Sequence, residues 1–256
     1  MKKQIRKWTF HLTVTILFIA GLLLIAILNP ILTYANKTTH NNYTIFHNKT
    51  YDQNLNLHLD QATELLKNSE FYNSKLRFDI CLNDGSIYPK FMKTILGQSF
   101  ASGFYNKVVL HGSANYKENF VELNGYKWNL TQLLAHELTH CLQYDNLGLL
   151  KSSPLGKIPT WKKEGYPEYI ARQNQDQTNL IKNITRLNEA IRKDKNEWGI
   201  SFADSTFVGK DYYSWWILIQ YCMDIKKMTY RQVLDDTTKQ ENVRQEMMNW
   251  YYKNHN

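Results

Sequence analysis

The chain has 256 residues, of which 43% are hydrophobic and 21% charged. That is enough for one sizeable core and excludes a disordered chain. The net charge of +8 does not indicate a nucleic-acid binder: half of it is Lys2, Lys3, Arg6 and Lys7, ahead of any fold, and the remaining basic residues are scattered.

The first element is a membrane span. Trp8 to Leu28 has no formally charged side chain, and 21 helical residues reach about 31 Å, close to the hydrocarbon thickness of a bilayer. The basic cluster before it puts the N-terminus in the cytoplasm and the rest of the chain outside. The apolar stretch is long for a signal peptide, so residues 1–35 read as a basic tip and an uncleaved single-pass anchor. Cleavage near Ala35 would make the protein secreted. Residues 36–58, rich in Asn, Thr and Lys, read as a polar stalk, and residues 59–256 as the extracytoplasmic domain.

Within that domain, residues 59–72 have apolar side chains at helical spacing. Residues 75–84 read as a strand, 87–97 as a short helix ended by Gly97, 106–112 as a strand and 120–123 as a short extended piece. Asn129 then caps a helix that Gly148 ends, with Leu130, Leu134, Leu138 and Leu142 as its core stripe. Residues 161–173, 177–197 and 211–226 look helical, and 231–253 contributes one or two more helices. The order gives an α+β fold, a small mixed sheet with a helical second half. Cys81, Cys141 and Cys222 form no Cys-x-x-Cys pair, so a thiolate zinc site is not expected. Their odd number leaves at least one thiol free or paired outside the chain.

The Asn129 helix carries His136-Glu137-Leu-Thr-His140. Residues four apart on a helix lie about 40° apart in projection, so His136 and His140 face one point. Glu137 sits about 100° from His136, where it can reach a water on a metal without ligating the metal. Two imidazoles and one carboxylate around Zn²⁺ leave a position open for that water, which the metal acidifies and Glu137 deprotonates. Chance alone gives His-Glu-x-x-His about once in 100 chains of this composition. The extension that would place a third histidine at 146 is missing, because that position is Asn146.

Farther on, Trp161, Glu164, Gly165 and Tyr169 follow the pattern Trp-x-x-Glu-Gly-x-x-x-Tyr. In this pairing the chain resembles the gluzincin zinc peptidases, the peptidase MA-like group. The resemblance covers roughly residues 100–236. It implies a zincin-like catalytic domain with Glu164 as third zinc ligand beside His136 and His140, one Zn²⁺ per chain and Glu137 as general base. The family's Ala is Pro167 here, which starts or bends the helix near the ligand. Glu168 is either a carboxylate that orients a histidine or a solvated surface acid.

The segment 209–221 is similar to the family helix whose tyrosine stabilises the oxyanion. This implies Tyr212, with Tyr213 as the alternative; an aromatic helix packed in the core has the same composition. By the same resemblance an extended strand borders the cleft and pairs with substrate. Residues 106–112 are its candidate, with His111 near the cleft or simply in a loop. The Gly-x-Met-Glu-Asn motif of the aminopeptidase branch is missing, which favours an endopeptidase acting on peptide or protein. The alternatives are a zinc- or peptide-binding surface protein without turnover and a domain whose His-Glu-x-x-His is accidental. Zinc suits this ligand set, although affinity order alone also admits cobalt or nickel.

Overall fold

The computed structural model describes residues 2–152, 156–173, 177–194 and 197–255, with side chains from Trp8 onward. The fold is mixed α+β, with one apolar N-terminal helix. That helix, α1 (Lys2–Leu28), contains the span Trp8–Leu28, none of it buried in the protein, and is long and apolar enough to cross a membrane. A signal sequence meets the same criterion.

Residues 36–58 are not a stalk. Strands β1 (Asn36–His40) and β2 (Tyr43–His47) form a hairpin, and β2 lies inside the main sheet with Tyr43, Ile45 and Phe46 buried. The hairpin turn is Asn41-Asn42, with Asn41 at φ 49°, the left-handed conformation that asparagine tolerates and two-residue hairpins require. Helix α2 (Asn54–Leu66) follows, so the folded domain starts at residue 36, not 59. Its polar composition hid the alternation of Tyr43, Ile45 and His47.

The remaining strands of the main sheet are β3 (Phe78–Cys81), β4 (Ala101–Phe104) and β5 (Lys107–Leu110), with α3 (Tyr88–Leu96) between β3 and β4. Their order is β1-β2-β3-β5-β4. β2, β3 and β5 are parallel, and the two edges, β1 and β4, are antiparallel to their neighbours. Register sorts the two faces. Ile45, Ile80 and Val108 align on the side of the main core, with α2 and the histidine helix. Phe46, Cys81 and Val109 align on the other side, where Tyr34, Tyr88 and Met92 close a second cluster.

A small antiparallel sheet of β6 (Ser113–Asn115), β7 (Phe120–Leu123) and β8 (Tyr126–Asn129) leads directly into α4 (Leu130–Leu147). The second half is helical: α5 (Thr160–Ala171), α6 (Leu180–Lys193), a hairpin of β9 (Gly199–Ser201) and β10 (Phe207–Gly209), α7 (Lys210–Gln220) running into a π turn at Tyr221–Ile225, α8 (Tyr230–Asp235) and α9 (Gln240–Asn254). All three cysteines are buried and free, and Cys141 packs as a small apolar side chain.

Candidate metal centre

Helix α4 starts where Asn129 Oδ1 accepts the Gln132 N–H at 3.1 Å, satisfying one of the donors a helix start leaves open. It ends at Gly148, φ 75°. The helix is buried on nearly every side, His136 and Glu137 included. Its wall toward β4 is so close that only glycine fits at 103, where a Cβ would lie 2.2 Å from the Glu137 carbonyl oxygen.

Helix α5 brings Glu164 back to the histidines. His136 Nε2 and His140 Nε2 are 3.1 Å apart, and Glu164 Oε2 lies 3.2 Å from His140 Nε2 and 3.6 Å from His136 Nε2. A tetrahedral zinc with bonds of about 2.0–2.1 Å sets its donors roughly 3.3 Å apart. The triangle fits that spacing, and two imidazoles with one carboxylate suit zinc chemically. Glu137 has a ligand atom within 4.8 Å of both histidines, but Glu164 closes the tighter set.

The outer nitrogens are held in turn. His140 Nδ1 donates to Gln143 Oε1 at 2.8 Å, which leaves Nε2 facing the triangle. His136 Nδ1 lies 2.9 Å from Glu168 Oε1, and neither atom has another partner among the described residues. Glu168 is 1% exposed, so it is not a solvated acid; its other oxygen accepts from Arg172 Nε at 2.5 Å, and Arg172 NH1 reaches Gln132 Oε1.

Pro167 sits inside α5, the helix starting well before it at Thr160. Proline has no N–H to give the Lys163 carbonyl one turn back. Gln143 Nε2 donates to that carbonyl at 3.1 Å and to Tyr230 Oη at 2.9 Å. One side chain thus orients His140 and satisfies the oxygen the proline leaves open. Gly165 allows α5 to press on α7, since a Cβ there would lie 2.5 Å from the Trp215 carbonyl oxygen.

Burial opposes a charge on His136, but Glu164 and Glu168 outweigh it and raise its pKa to about 10. Burial acts against ionised Glu164 too, yet His140 and His136 hold it well below the usual carboxylate range. Burial pushes the Glu137 carboxyl up, more strongly than the histidines and a Gly103 backbone hydrogen bond pull it down. Tyr212 is pushed up by burial and by the Glu164 and Glu137 carboxylates, so its hydroxyl stays protonated.

These groups line one cleft of about 470 Å³, walled by β4, the β7–β8 turn, α4, α5 and Tyr212. The Tyr212 ring lies 6.0 Å from that of His136, while Tyr213 is fully buried with its hydroxyl on the Asn183 carbonyl and Arg186. Of these two, Tyr212 is therefore the one at the cleft. The strand along the cleft is β4, not 106–112: β5 is paired on both sides. His111 does not line the cleft. It is buried, bonded to Ser102 Oγ at 2.9 Å and the Pro89 carbonyl, where it ties β4 to α3.

Sequence reasoning missed Gln143, Arg172 and Gly103. Gln143 follows His140 by three positions and Arg172 follows Glu168 by four, spacings that put each pair on one helix face. Nothing local marks Gly103, whose neighbour is a different element. Comparison with protein-family descriptions, curated proteins and solved structures finds no match.

Proposed function

We propose that this chain is a zinc-dependent peptidase of the gluzincin kind with a zincin-like domain, anchored by α1 and facing the extracytoplasmic side. The observation that carries this reading is the convergence of His136 Nε2, His140 Nε2 and Glu164 Oε2 within 3.6 Å, beside Glu137 in an open cleft. Zinc held there would supply Lewis-acid polarisation of a carbonyl and acidify a water. Glu137, its carboxyl pKa raised by burial, takes the proton of the attacking water and returns it to the leaving amine. Tyr212 donates its hydroxyl proton in a hydrogen bond to the oxygen that gains charge. The outer edge of β4 accepts an extended peptide as an added strand, which favours cutting within a chain.

Retention of the anchor is supported by its packing. Ile27 packs against the Tyr34–Tyr88 cluster, Pro30 is buried, and Tyr88 Oη donates to the Ile27 carbonyl. A cleaved chain would lose these contacts.

The test is metal content of the full chain, purified in detergent without a histidine tag, beside Glu164→Ala. About one zinc per chain, sharply reduced in the variant, is the expected result. A folded chain that takes up no zinc would sink the proposal. Activity on a peptide library, lost in Glu137→Gln with metal retained, separates turnover from binding alone.

A further inference from the structure

The apolar surface of α1 does not stop where the span ends. Leu28, Ile31 and Leu32 are 39%, 51% and 66% exposed. Ser86 Oγ donates to the Thr33 carbonyl at 3.1 Å, which brings the start of α3 beside them. There Ile87 is 69% exposed and Ile95 46% exposed. Ile87, partly buried Phe91 and Ile95 are four apart, so they form one stripe of the helix. Residues 85–99 contain Lys90 and Lys93 and no acidic residue. An apolar stripe with lysines farther round the same helix is the composition of a helix lying in a bilayer interface, the stems toward the acyl boundary and the ammonium groups at the phosphates.

Geometry sets the height. The Tyr88 hydroxyl bonds the carbonyl of Ile27, a residue in the last turn of the span, so α3 begins level with the edge of the hydrocarbon. From Tyr88 to Leu96 the helix rises about 12 Å. The headgroup layer outside the hydrocarbon is roughly 6 Å deep. Leu96 and the following Gln98 and Ser99 form one rim of the cleft. With α3 lying flat that rim stands in the headgroup layer, and with α3 upright it stands about 6 Å beyond it.

We propose that the Ile87–Leu96 face rests on the same bilayer that α1 spans, so that the cleft takes polypeptide held at the membrane surface, as in the membrane-proximal segment of an anchored chain. The docking rests on Trp8–Leu28 as a retained span, and the substrate class rests on the peptidase reading. The occupant is the lipid surface because the face stands beside the end of the span, with exposed Leu28, Ile31 and Leu32 between the two. The opposite side of the main sheet is covered by the main core, with α2 and α4.

The test uses the full chain in vesicles of phosphatidylcholine with a minority of phosphatidylglycerol. Ile95→Cys is labelled with an environment-sensitive fluorophore, with Ile87→Cys as a second probe and Tyr252→Cys on α9 as the reference. All are exposed positions, and the native thiols are buried and escape the label. The expected result is blue-shifted emission at 95 and 87, roughly halved by lipid carrying a spin label near the headgroup, with the label at 252 unaffected. Emission at 95 and 87 as water-like as at 252, in chain that resists alkaline extraction, overturns the docking alone. A blue shift without quenching by the labelled lipid means a second copy of the chain covers the face and also overturns it. Chain released by alkaline extraction overturns both the retained span and the docking. None of these readouts depends on metal or turnover, so the peptidase reading stands or falls separately.

Discussion

Gly165→Ala tests whether close packing of α5 on α7 sets the metal site. The new methyl would lie 2.5 Å from the Trp215 carbonyl oxygen and 2.8 Å from Ile219 Cγ1. Ordinary contact begins at 3.4 Å, so α5 must retreat by about 0.9 Å from the backbone oxygen. Overpacking of this kind costs about 1–3 kcal/mol, and replacing a helical glycine by alanine returns about 1 kcal/mol. The net is about 1 kcal/mol, a drop in Tm of roughly 2–4 °C. The metal should register the change more strongly. Glu164 is the adjacent residue, and metal sites tolerate roughly 0.2 Å of error in ligand distance. Zinc affinity is expected to fall about 10- to 100-fold, as measured by competition with a chromophoric chelator. Gly209→Ala is the reference, because its methyl would meet nothing nearer than 3.6 Å. Unchanged zinc affinity in Gly165→Ala, at unchanged Tm, would refute the idea that this contact positions Glu164.

Glu168→Gln removes the charge facing His136 Nδ1 and leaves the buried Arg172 without its carboxylate. About 3–5 kcal/mol of stability by chemical denaturation and roughly 10- to 100-fold in zinc affinity should be lost. Gln143→Leu removes both the His140 contact and the donor to the Lys163 carbonyl. It should weaken zinc binding and lower Tm together, whereas a role in orienting His140 alone would leave the metal-free Tm unchanged. Zinc must displace the proton that His136 holds up to about pH 10, so affinity should rise about tenfold per pH unit between pH 6 and 8; a flat profile in the same chelator assay would contradict this.

Stability of the metal-free chain has two limits. Glu164 and Glu168 are held low, so their contribution is present above the ordinary carboxylate value of 4.5 and lost as pH falls below it. His136 is raised, so its contribution is complete below 6.5 and lost as pH rises through about 10. Thermal unfolding across pH should show both losses.

By itself the sequence determined what local chemistry determines. A 3.6-residue period puts His136 and His140 on one side of α4 wherever that helix packs, and an asparagine and a glycine mark its ends. A mostly apolar run without formal charge makes Trp8–Leu28 a helix long and apolar enough to cross a membrane, without help from any neighbour. The spacing of Trp161, Glu164 and Gly165 singled out Glu164 only through a resemblance.

Tertiary structure decided which elements meet. The segment 36–47 looked polar, yet β2 lies between β1 and β3, because strand pairing depends on the partner's edge as well as on composition. The strand expected at 106–112 is β5, Lys107–Leu110, but pairing on both sides takes it from the cleft and gives the edge to β4. Tyr212 and Tyr213 are neighbours in the chain, and one helical step of about 100° sends one to the cleft and the other to the core. Gln143 acquires two tasks only because the carbonyl opened by Pro167 comes to rest beside it. The contacts of β2 and β5 with β3, and of Gln143 with the Lys163 carbonyl, join residues 20 or more positions apart, and no local period encodes them.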